Sequence, residues 1–378
     1  MKVVLAPNAF KGSLAAASAA RVMAEGVLKA CPQAEAIAVP FADGGDGLSD
    51  IILDALKGQA KFVSASDPLG RTVPSSFCWV PDRDMAAIEM AKASGLALLA
   101  AEELNPLQTT TYGTGELIRA ALDLGVSRIV VGIGGSATND GGIGMAAALG
   151  ARFLDAAGKE VRPVGKALKN IAAIDMSGLD PRIGRTHIEV ICDVDNPLVG
   201  ENGAAHVYAP QKGANPDQVK ELDAGLENLA AVISKCLAKE VRWLPGAGAA
   251  GGLGAGLFAF LGAKLRSGVE VMLDLVGLEE KIRDADLVLT AEGRLDEQIA
   301  YGKGPAGVAA CARKQGVPCI VVAGSIADEL PDLDALGINA VFSLCPGPIT
   351  LTEAVEGAPR YLKRTVEQVL KTFWAGRG

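Results

Sequence analysis

The chain has 378 residues, 49% apolar, 21% charged and 4% aromatic, with 46 glycines, so it can bury a large core and make many tight turns. Thirty-six Lys and Arg against 44 Asp and Glu leave a net charge of −8. That balance argues against nucleic-acid and anionic-membrane partners, and so few aromatics argue against single-strand stacking.

From the N-terminus, the pattern predicts a strand over 2–6 and a helix over 14–30 that Ser13 can cap and Pro32 stops. A second strand is expected over 36–40, then the turn Asp43-Gly44-Gly45-Asp46-Gly47 and a helix to about residue 57. Residues 61–90 read as short strands with turns at Asp67-Pro68-Leu69-Gly70 and Pro81-Asp82. A helix is predicted over 115–124, strands over 128–133 and 187–192, and a helix over 217–239. Residues 243–263 carry no charge, but Pro245 and seven glycines make a poor membrane span, so this stretch is expected inside a soluble fold. The last hundred residues return to the opening rhythm. Strands are expected over 287–290, 317–323 and 339–343, and helices over 304–314 and 352–373.

Two flanks of one rhythm around a different centre point to an insertion. The expected architecture is α/β. A Rossmann/flavodoxin-like parallel-sheet domain, residues 1–72 with 285–378, holds an inserted mixed α/β domain, residues 73–284, with ligand in the cleft between them. Seven scattered cysteines without a C-x-x-C pair fit reduced thiols in a cytoplasmic protein. Only His187 and His206 are present to serve a zinc site or a histidine-based triad.

Five loops near predicted strand ends collect glycine, carboxylate and lysine. Asn8, Lys11 and Ser13 stand in Ala6-Pro7-Asn8-Ala9-Phe10-Lys11-Gly12-Ser13, where a point charge and a helix start suit an anion. Asp43 and Asp46, among three glycines, suit Mg²⁺ or a substrate hydroxyl, or form a plain turn. In Gly132–Gly142 the backbone of Gly134 and Gly135, with Ser136, Thr138 and Asn139, can form an anion nest. The same loop imitates a dinucleotide fingerprint, as does Gly246–Gly251, which keeps a dinucleotide-dependent oxidoreductase open as an alternative. Asp193 and Asp195 end a strand two residues apart, and two carboxylates on one side of an extended chain bind a cation or raise the pKa of one of them. Lys212 follows downstream. The fifth loop holds Arg294 and Asp296, with Lys303 before a proline-started helix. There is no P-loop, no protein-kinase signature and no zinc motif. Glycine-rich anion loops with Lys, Arg and clustered Asp are the inventory of phosphoryl transfer.

These segments, with Thr109–Glu116, Pro210–Gly213, Pro245–Gly256 and Glu292–Asp296, resemble the bacterial glycerate kinase family, in order from residue 2 to about residue 347. The resemblance implies two α/β domains, one inserted in the other, and ATP-dependent phosphorylation of D-glycerate with Mg²⁺, usually at the 2-hydroxyl; attack from the 3-hydroxyl stays open. It leaves open whether the chain forms a homo-oligomer. Leu48, Asp46, Ala291 and Ile299 depart from the family pattern, and the hydroxyls lost at 48 and 299 remove a side-chain contact there. The expected roles are Asp193 as base, Asp195 and Asp43 as metal or substrate ligands, and Lys11 neutralising the transferred charge.

Overall fold

Strands buried on both faces read as unbroken apolar runs, and Val3-Val4-Leu5-Ala6 and Leu287-Val288-Leu289 are such runs, every residue fully buried. The structure, a computed structural model, describes residues 1–10, 12–41, 52–53, 56–301 and 304–376. Among them the strands in chain order are β1 (Lys2–Pro7), β2 (Glu35–Ala38), β3 (Gln59–Ser66), β4 (Thr72–Val80), β5 (Met85–Glu89), β6 (Arg128–Gly132), β7 (Arg152–Leu154), β8 (Ala173–Asp175), β9 (His187–Ile191), β10 (Lys264–Arg266), β11 (Leu287–Leu295), β12 (Cys319–Ile326) and β13 (Ala340–Ser343). The chain divides into two compact units, Met1–Asp43 with Gly268–Gly378, and Gly44–Ser267.

In the first unit all strands are parallel, in the order β2-β1-β11-β12-β13. Counted within the unit this is 2-1-3-4-5, the flavodoxin-like order, with its switch point between β1 and β11. Side chains alternate between the faces. Val3, Leu5, Leu287 and Leu289 pack under the helices Ala16–Ala30 and Leu351–Ala375 through Met23, Val27, Leu362 and Val366. Val4, Ala6, Val288 and Val321 face the helix Pro305–Lys314 through Val308 and Ala312.

The second unit carries a six-stranded sheet, order β10-β9-β6-β5-β4-β3, in which β5, β6, β9 and β10 are parallel and β3 and β4 antiparallel. A small ribbon pairs β7 with β8. The sequence reading set the boundaries at 72 and 285; the units divide at 43/44 and 267/268. The reason is pairing and packing. All of β3 pairs with β4, and Val269, Leu273, Leu278 and Ile282 join the core around β11.

One local expectation needs correction. Ser13 does not cap the first helix, which starts at Ala16 after an uncapped Ala15; its hydroxyl donates to the carbonyl of Val355 at 2.8 Å, a long-range bond that outcompetes the local one. The charge-free stretch 243–263 forms the buried helix Ala249–Leu261, broken by left-handed conformations at Ala250, Gly251 and Gly252. Among the described residues no helix is long and apolar enough to cross a membrane. The expected helix before residue 57 lies largely outside the described residues.

Candidate active site

In the second unit the ladder sets Glu89, Gly132 and Ile191 in one row, the last residues of β5, β6 and β9. Loops leaving a parallel sheet at its carboxyl ends are where such folds hold ligands. A cavity of about 440 Å³ lies here, lined by Glu89, Gly132–Ser136, Cys192, Asp193, Tyr208 and Gln211 among others.

The loop after β6 is held from behind. The carbonyl of Gly132 accepts from Met90 N at 2.9 Å, that of Gly135 from Leu96 N at 2.9 Å, and Ala137 N donates to Ser94 O at 2.9 Å. A trans peptide points its C=O and the following N–H in opposite directions. Tying the Gly135 carbonyl therefore turns the Ser136 N–H the other way. The N–H groups of Gly134, Gly135 and Ser136 donate to no acceptor among the described residues, although all three residues line the cavity. Such consecutive free donors form a concavity for anionic oxygens. The dinucleotide reading of this loop needs a helix directly after it; the next helix begins only at Ile143, preceded by Gly142 in the left-handed region.

Deeper in the loop the polar side chains serve its shape. Asp140 is fully buried, and its carboxylate accepts from Thr111 N at 2.7 Å, Thr111 Oγ1 at 2.8 Å, Gly142 N at 3.0 Å and Gly144 N at 3.2 Å. Burial pushes its pKa up, and those donors push back. Every partner's N–H or O–H serves it, so the ionised form is the one this geometry matches. Lys212, 1% exposed, donates from Nζ to Ser136 Oγ and to the Thr138 carbonyl, both at 2.7 Å. Thr138 Oγ1 and both amide atoms of Asn139 are buried without a partner among the described residues. Thr138, Asn139 and Lys212 do not line the cavity; Gly134, Gly135 and Ser136 do.

Across the cavity the chain leaves β9 as Cys192-Asp193-Val194-Asp195. Asp193 and Asp195 are both exposed, but only Asp193 lines the cavity. Burial, with the negative charges of Asp193 and Asp195, raises the Cys192 pKa and keeps that thiol protonated. Tyr208 donates its hydroxyl to Asn196 Oδ1 at 2.6 Å, tying this loop to the short helix Ala204–Tyr208.

The first unit has its own cavity, of about 740 Å³, at the carboxyl ends of β1, β11 and β12. Ser13, Glu292, Arg294, Asp296 and Ser325 supply its polar groups, and Phe10, Leu344 and Val355 its apolar wall. Arg294 Nε lies 3.4 Å from Asp296 Oδ2, yet the arginine side chain is 71% exposed and open to an anion. The helix Leu351–Ala375 starts at this cavity with Thr350 as its cap, its side chain accepting from Glu353 N. Asn8 is buried, its N–H donating to Ala291 O at 2.8 Å and its side chain accepting from Ala9 N at 2.7 Å. Lys11, Asp43 and Lys303 lie outside the described residues.

Sequence reasoning missed Glu89, Tyr208 and Gln211 as lining residues and Ser325 in the first unit. Glu89 was findable as the last residue of a parallel strand, and Gln211 stands beside Lys212 in a segment already singled out; nothing local marks Tyr208 or Ser325. No group of three or more His, Cys, Asp or Glu suited to a metal occurs among the described residues.

Backbone donors across a cavity from a carboxylate, on strand ends of an α/β fold, are an arrangement that phosphoryl transfer to a small molecule can use. The chain belongs to the glycerate kinase family, whose sequence profile it matches over residues 3–374. It is 50% identical over 367 residues to a glycerate kinase of Halalkalibacterium halodurans, covering 97% of each chain. It is 46% identical over 376 residues to the glycerate 2-kinase of Escherichia coli K12, covering 100% of this chain and 99% of that one. The crystal structure of a protein assigned as glycerate kinase 2 from Salmonella typhimurium LT2 superposes with a TM-score of 0.86 at 45% identity, over 100% of this chain and 99% of that one.

Proposed function

We propose that this protein is a cytoplasmic ATP-dependent glycerate 2-kinase, converting D-glycerate to 2-phosphoglycerate. The observation that carries the reading is the free N–H triad of Gly134, Gly135 and Ser136 in the same cavity as Asp193. The triad takes the glycerate carboxylate. The 2-hydroxyl sits on the adjoining carbon, so a carboxylate seated there leaves that hydroxyl to Asp193. Asp193 orients it and accepts its proton as its oxygen bonds to the γ-phosphorus; the bond from that phosphorus to the βγ-bridging oxygen breaks and ADP leaves.

The first unit's cavity, with Arg294, Asp296 and Ser13, takes the nucleotide, its apolar wall suiting the base and its arginine the phosphates; Lys303 is a nucleotide-binding candidate by its sequence alone. Lys11 neutralises transferred charge. Mg²⁺ prefers one or two carboxylates together with phosphate oxygens and water, and the exposed Asp195 is a carboxylate of the kind such an ion takes; Asp43 is the other candidate, by its sequence alone. Bound there, the ion would neutralise charge on the phosphates.

The test is ADP release from ATP in the presence of D-glycerate or D-lactate, alongside NADH titration followed by fluorescence. Release that requires D-glycerate, with no NADH response, is the expected result. An NADH response without ADP release would restore the oxidoreductase alternative.

A further inference from the structure

Lys212 ends a short turn, Pro210–Lys212, that Gly213 closes in the left-handed region, and the side chain runs inward to the back of the loop after β6. It forms no ion pair among the described residues. Its two acceptors, Ser136 Oγ and the Thr138 carbonyl, are neutral. They bracket Ala137, whose carbonyl accepts from Thr109 Oγ1 at 3.0 Å. An unpaired ammonium in the interior is costly, and an apolar side chain of the same length would fill the space with less penalty. Asp140, the nearby carboxylate, already has four donors of its own. The buried charge has Asp140 within Coulombic reach but no anion in contact, and Ser136, which it grips, lines the open cradle.

We infer that Lys212 is a positioning residue for the anion cradle, holding Ser136 and Thr138 from behind and supplying positive charge to a bound carboxylate it does not touch. The inference rests on the reading of the cradle as the glycerate site. It accounts for a lysine with no access to solvent and no carboxylate partner. Burial drives its pKa down to about 7, with Asp140 pulling the other way, and a bound anion favours the charged form.

The experiment compares wild type with Lys212→Met by calorimetric titration of D-glycerate and by steady-state kinetics. The expected result is a D-glycerate affinity weakened about tenfold or more and a KM for D-glycerate raised by a similar factor, with the KM for ATP changed by less than about twofold. An unchanged D-glycerate affinity in folded protein, or an equal rise in both KM values, overturns the inference. If Lys212→Met does not fold, Ser136→Ala removes one of the two ties; it should weaken D-glycerate about threefold or more, and no change overturns the inference. If wild type itself binds no D-glycerate, the catalytic reading has failed. Inorganic phosphate then probes the cradle, and equal phosphate binding by wild type and Lys212→Met overturns the role of Lys212.

Discussion

Asp193 and Lys212 show how differently two side chains of one site depend on their surroundings. Asp193 is exposed at the cavity wall, where a carboxylate can meet a hydroxyl and return its proton to solvent. Asp193→Asn keeps the shape and removes the base. It should lower kcat by about 10²–10⁴-fold with the KM for ATP little changed, and near-normal kcat would remove Asp193 from the role. Lys212 has the opposite setting. Its folded pKa of about 7 lies below the ordinary 10.5, so between those values the unfolded chain binds a proton that the folded chain has released. Stability therefore rises with pH across that window. Thermal melts should show wild type gaining on Lys212→Met as pH rises from about 7 to about 9.5. A constant difference would contradict a depressed lysine. Residue types were legible in the sequence at both positions, but partners were not. Lys212 reads as one more cation near the candidate site until the fold carries it beneath Ser136, and Ser13 reads as a cap until Val355 arrives from the far end of the chain.

At the scale of elements, the apolar runs and their punctuation carry most of the information. The helix expected over 352–373 is Leu351–Ala375, and that expected over 217–239 is Pro216–Leu237, started by Asn215, which accepts from Asp217 N and Gln218 N. Strands end where expected to within a few residues, except that β11 continues through Leu295, carrying Glu292 and Arg294 out of a buried run into a cavity wall. What local pattern does not encode is close approach between elements. A Cβ on Gly26, in the helix Ala16–Ala30, would lie 2.7 Å from the carbonyl oxygen of Lys363 in the helix Leu351–Ala375. The gain in helix propensity from Gly26→Ala is about 1 kcal/mol, and wedging the pair apart costs about 1–3 kcal/mol. The variant should therefore be no more stable than wild type in urea, and less stable if the backbone does not shift. A gain of the full propensity value would mean the helices are not in contact there. Gly251 makes a similar demand in the second unit, where its φ is +69° and a Cβ would meet the Thr138 carbonyl at 2.0 Å. No helix signal predicts that break, because it serves the neighbouring loop.

For the whole molecule, the alternation of strand and helix at both ends was enough to recover a parallel sheet and an insertion. The exact division was not, because 44–72 reads as a continuation of the first rhythm while β3 is claimed by β4 through a pairing no local pattern announces. The order 2-1-3-4-5 places a switch point at β1 and β11 in the first unit, and the row Glu89, Gly132, Ile191 places the cradle in the second. The family likeness names the acceptor, and the cradle beside Asp193 argues for the hydroxyl next to the carboxylate. Phosphorus NMR of the product from D-glycerate and ATP reads both at once. The account predicts a single phosphomonoester resonance that splits as a doublet from coupling to one carbinol proton, as 2-phosphoglycerate requires. A triplet from coupling to a methylene pair, or no new phosphomonoester, would contradict it.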